Sequence, residues 1–122
     1  MRRSTTGLLT ATFVSLIGTA AAQAHAFLTH AMPAVGGVVS TPPTEIRLSF
    51  SEGIEPAFFG VGLATGEGQP IATAAAAVNP RDTTQLVLPL PVLGPGRYEV
   101  IWHVVSVDTH RTEGTYDFEV KP

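Results

Sequence analysis

Residues 45–50 alternate strictly, with Ile46, Leu48 and Phe50 apolar and Glu45, Arg47 and Ser49 polar. Period-two alternation marks a strand that buries one face. Residues 97–106 put Tyr98, Val100, Trp102 and Val104 on one side, and Glu99, Ile101, His103 and Val105 on the other. Residues 115–120 send Tyr116, Phe118 and Val120 inward and Thr115, Asp117 and Glu119 outward, while 85–90 group Leu86, Leu88 and Leu90 less cleanly. Shorter strands are predicted over 27–31, 35–39, 58–64 and 71–78. Turn signals separate them: Met32-Pro33, Gly36-Gly37, Pro42-Pro43, Gly66-Glu67-Gly68, Asn79-Pro80 and Gly94-Pro95-Gly96. The alanine-rich stretch 72–77 is too short to stand alone as a helix. The pattern predicts an all-β chain, a single Greek-key β-barrel or sandwich of about seven strands.

The first two dozen residues follow a different rule. Arg2 and Arg3 give a positive start, an apolar stretch runs over residues 7–18, and Ala22-Gln23-Ala24 closes it with small residues. Those three parts in order make a cleavable secretory signal peptide. The apolar stretch is shorter than the roughly 20 residues a membrane-spanning helix needs. The expected organisation is a signal peptide over 1–24 and one β-domain over 25–122, exported by that signal, with His25 as the new N-terminus. Ala24-His25-Ala26 offers a rival cut that would start the chain at Phe27.

Cleavage after Ala24 leaves 98 of the 122 residues, with five basic against ten acidic side chains, a net charge of −5. The five remaining basic residues (Arg47, Arg81, Arg97, Arg111 and Lys121) are scattered, so a nucleic-acid partner is not expected. The absence of cysteine removes disulfides, thiolate metal sites and thiol catalysis from consideration.

Candidate chemistry centres on histidine. There are four: His25, His30, His103 and His110. As an N-terminal residue, His25 would present an α-amine and an imidazole, two nitrogens able to chelate one ion. Asp108 and His110, at i and i+2, would project to the same side of an extended segment. Together the groups form a nitrogen-rich set with one oxygen, which suits Cu(II), the leader of the divalent affinity order. Asp108 and His110 also read as ordinary turn formers in a hairpin connection. His30 and His103 read as surface or structural histidines, and Tyr98 and Trp102 as core aromatics. Glu52, at the close of the 45–50 strand, reads either as a solvated strand end or as an acceptor that orients a ligand imidazole.

Several segments resemble the CopC copper-resistance family of periplasmic copper-binding proteins. They are His25-Ala26, Pro33-Ala34, Leu48-Ser49-Phe50-Ser51-Glu52, Gly96-Arg97-Tyr98-Glu99-Val100-Ile101-Trp102 and, most specifically, Val104-Val105-Ser106-Val107-Asp108-Thr109-His110. The resemblance implies a cupredoxin-like or immunoglobulin-like barrel that binds one Cu(II) per mature chain, without enzymatic activity. It places metal ligands at His25, Asp108 and His110 and a supporting acid at Glu52. It also implies a role in copper resistance, storage or delivery to a CopD-type inner-membrane copper transporter. Some members carry a methionine-rich loop for Cu(I). Residues 65–86 contain no methionine here, so a separate Cu(I) site is not expected. Two other classes compete: a small copper-dependent monooxygenase built on an N-terminal histidine brace, and a metal-free immunoglobulin-like interaction domain.

Overall fold

The computed structural model describes residues 26–122; His25 and the expected signal segment lie outside the described residues. Nine strands follow in order: β1 (Leu28–Met32), β2 (Val38–Val39), β3 (Glu45–Phe50), β4 (Ile54–Thr65), β5 (Pro70–Ile71), β6 (Ala77–Asn79), β7 (Asp82–Pro89), β8 (Gly96–Ser106) and β9 (Arg111–Val120). No helix occurs among the described residues. The strands form a four-stranded sheet, β1-β3-β7-β6, and a five-stranded sheet, β2-β9-β8-β4-β5. All pairings are antiparallel except β2 with β9. The all-β two-sheet architecture agrees with the alternation in the sequence.

The inward rows meet in one core. Ile46, Leu48, Phe50, Leu86 and Leu88 from one sheet pack with Leu63, Val100, Val104, Phe118 and Val120 from the other, all nearly sealed from solvent. Phe50 meets Trp102 edge-on across the sheets, with ring centroids 5.1 Å apart. Trp102 lies opposite Gly114 on β9, and a Cβ on Gly114 would stand 2.7 Å from the indole Cζ2, so the close approach requires glycine.

Several boundaries differ from the expectation. The strand expected over 71–78 is two short strands separated by residues 72–76, where alanines offer too little side chain to alternate. The strand expected over 35–39 shrinks to β2, because Gly36 takes a left-handed φ of 68° and the Gly37 N–H closes a turn on Ala34 O at 2.9 Å. β4 begins at Ile54, four residues early, and carries a bulge between Ile54 and Phe59 that holds Pro56, a residue unable to donate to the ladder. β9 likewise starts at Arg111 rather than 115, which shortens the β8–β9 connection to a tight turn. That shortening sets the geometry of the candidate site.

Candidate metal centre

The turn joining β8 to β9 has a three-residue loop, Val107, Asp108 and Thr109. The Thr109 N–H donates to Ser106 O at 2.8 Å, and the Ser106 N–H donates to His110 O at 2.9 Å. Hairpin loops of this length commonly end on a left-handed residue, and Thr109 has a φ of 73°. Glycine is the usual occupant; an L residue pays about 1–2 kcal/mol for that conformation. The turn brings the two candidate ligands together, with His110 Nδ1 3.2 Å from Asp108 Oδ2. The convergence foreseen from extended alternation is therefore real, but its cause is the left-handed turn.

The 3.2 Å spacing fits two ligands on one ion. Two bonds of about 2.1 Å at a right angle separate their donor atoms by about 3.0 Å. Both side chains remain partly exposed, so solvent and an incoming ion have access.

Ser106 stands directly behind the pair. It continues the inward row of Trp102 and Val104 and is buried, yet its Oγ donates to Asp108 Oδ1. The same hydroxyl lies 3.2 Å from His110 O. The Ser106 bond holds the Asp108 carboxyl below its ordinary value; slight burial opposes this, and His110 adds a smaller push downward. A favoured carboxylate at neutral pH is what a cation ligand needs.

Two further segments close on this end of the sandwich. Ala26 is fully buried, and its carbonyl accepts a hydrogen bond from Thr112 Oγ1 at 2.9 Å, two residues past His110. Phe27 is tied to Ser51 twice: its N–H donates to Ser51 Oγ and its carbonyl accepts the Ser51 N–H, both at 2.8 Å. The connection from β3 to β4 then reaches the turn through Gly53, whose carbonyl accepts the Val107 N–H at 3.1 Å. Glu52 sits half-buried in that connection, at the same end as Asp108 and His110. Among the described residues no three His, Cys, Asp or Glu side chains gather tightly enough to hold a metal, so Asp108 and His110 stand as a pair.

The other histidines lie elsewhere. His103 faces outward on β8 and its imidazole covers Gly60 of β4, where an added Cβ would come within 2.8 Å of Nε2. His30 is exposed on β1, opposite Ser49. Neither Ser106 nor Thr112 stands out in the sequence as a site residue. The signal for Ser106 was present: a polar residue at an inward position of a buried strand must find a polar partner.

Comparison with known proteins places these features in a family. The CopC domain matches residues 28–121, and the chain belongs to the CopC family. Protein YobA of Escherichia coli K12 is 48% identical over 99 residues, covering 80% of each chain. Copper resistance protein C of Pseudomonas syringae pv. tomato is 34% identical over 122 residues, covering 95% of this chain and 96% of that one. Among solved structures, CopC from Methylosinus trichosporium OB3b superposes with a TM-score of 0.76 at 33% identity, over 80% of this chain and 95% of its own. PcoC, a methionine-rich copper resistance protein from Escherichia coli, superposes with a TM-score of 0.72 at 34% identity, over 80% of this chain and all of its own.

Proposed function

We propose that the protein is a periplasmic carrier of Cu(II), exported by a signal peptide over residues 1–24 and holding one ion per mature chain. The α-amine and imidazole of His25, the His110 imidazole and the Asp108 carboxylate bind the ion, with Glu52 supporting the site. The observation that carries this is the Asp108–His110 pair, 3.2 Å apart, on the sandwich end where Ala26 is anchored beside β9. The donors are nitrogen-rich, contain one hard oxygen and lack thiolate, which favours Cu(II). Relatives named as copper resistance proteins support the same cargo.

The soft-ligand side of copper chemistry is thin. Of the two methionines in the sequence, Met32 alone follows the signal segment, whereas PcoC is described as methionine-rich. The role that fits is storage, buffering or delivery of Cu(II), with a CopD-type inner-membrane transporter as recipient and no catalytic step.

Native mass spectrometry of the exported protein, with and without Cu(II), tests this assignment. The expected result is a mass beginning at His25 plus one copper, with the copper lost in the Asp108→Ala/His110→Ala variant. Acid should release the ion as the amine and imidazoles, and then the carboxylate, take up protons. A chain beginning at His25 that takes up no copper, or that retains it well below about pH 4, overturns the assignment.

A further inference from the structure

We infer that Ser106 is a positioning residue for the ion: its hydroxyl holds one oxygen of Asp108, so the carboxylate binds through the other alone. This rests on the Cu(II) site proposed above and adds to it the mode of carboxylate binding and the residue that sets it.

Among the described residues, Ser106 is the one buried side chain outside the apolar and aromatic set, 1% exposed. Its backbone is fixed on three sides. The N–H is bonded to His110 O, the carbonyl accepts the Thr109 N–H, and Ile54 of β4 is its cross-strand partner. The hydroxyl therefore issues from a rigid point. Among the described residues its single proton has two acceptors in reach, Asp108 Oδ1 and His110 O. An ionised carboxylate is much the stronger acceptor, so the proton goes to Asp108.

The consequence is geometric. With Oδ1 engaged, Oδ2 is the oxygen turned toward the His110 ring, at 3.2 Å from Nδ1. An ion arriving beside His110 meets a carboxylate already oriented, with Oδ2 presented toward it and Oδ1 drawn back by the Ser106 bond. Groups that orient metal ligands in this way typically contribute about 10–100-fold in affinity.

The test uses the purified chain beginning at His25 and Cu(II) alone, with affinity read by competition against a chelator of known strength. Ser106→Ala should weaken Cu(II) binding about tenfold. In an Asp108→Ala background, Ser106→Ala should cost nothing further, because the group it acts through is gone. An equal loss in both backgrounds would show that Ser106 serves the turn backbone, and would overturn the inference, as would unchanged affinity of the single variant.

Infrared difference spectra of the wild-type chain, taken on Cu(II) loading with 13C-labelled aspartate, need no variant at all. The wide splitting of a one-oxygen carboxylate is expected, and the narrow splitting of a chelating one overturns the inference. If Asp108→Ala itself binds Cu(II) as tightly as wild type, the ligand assignment fails instead, a distinguishable result.

Discussion

At the end of the β8–β9 hairpin remote from its turn, Tyr98 stacks on Phe118 with ring centroids 5.5 Å apart, and Val100 and Val120 are sealed from solvent. At the turn end, four of the five residues at 106–110 are exposed, and the hydrogen bonds of Ser106 and Thr109 hold the backbone in place. One end is stabilised by area removed from water and the other by polar bonds that shape an accessible site. A single pair of strands thus separates the apolar source of stability from the geometry of the candidate site. Substitutions at the apolar end should move unfolding, and substitutions at the turn should move binding.

The sharpest challenge to that division is Phe118→Ala. Phe118 is 1% exposed and central to the core, so its truncation should lower unfolding free energy by about 3–5 kcal/mol in a urea titration. The fraction still folded should keep the wild-type Cu(II) spectrum. A changed spectrum there would mean the two ends are coupled.

Tyr116, midway along β9, sharpens the comparison with a smaller effect of opposite sign. Its hydroxyl is buried and has no hydrogen-bond partner among the described residues, and burial pushes the phenol upward in pKa. Tyr116→Phe removes that unpaired group and should raise stability by about 1 kcal/mol, measured by the same titration. A loss of stability would show that the hydroxyl has a use in the folded state.

The smallest effect is expected at the turn, in acid. The Asp108 carboxyl is held below its ordinary value of 3.8, chiefly by Ser106. A group depressed in the folded state adds stability above its unfolded value and loses it as pH falls through the lower folded one. Melting temperatures of the metal-free wild type should therefore fall slightly more steeply below about pH 4 than those of Ser106→Ala. Parallel curves would mean that the Ser106 bond contributes nothing to folding.

The strands that alternate over a buried core were legible as sequence. Ile46, Leu48 and Phe50 face inward as their period requires, as do Val100, Trp102 and Val104. Alternation weakens wherever a backbone irregularity intervenes, so the pattern hides the start of β4 at its bulge and runs 71–78 together as one strand across alanines. At the site, residue type and spacing singled out Asp108 and His110. Their actual convergence depends on a threonine at φ 73°, a conformation ordinarily reserved for glycine or asparagine and so not suggested by Thr109. Thr112 was opaque for another reason: its partner, the Ala26 carbonyl, lies far away in the sequence and contributes only backbone.

That bond between Thr112 and Ala26 spans a sequence separation of 86. An ion shared by His25 and the β8–β9 turn would close a loop of similar length, acting as a removable cross-link between the beginning and end of the domain. Closure entropy grows with the logarithm of loop length, so a clasp placed here constrains the unfolded chain more than one between neighbours. Because only the folded chain can complete the clasp, free ion at a thousandfold above Kd would add about 4 kcal/mol against unfolding. Metal-bound and metal-free chains would then differ in lifetime as well as in composition. Proteases that act on opened chains would remove the metal-free form first.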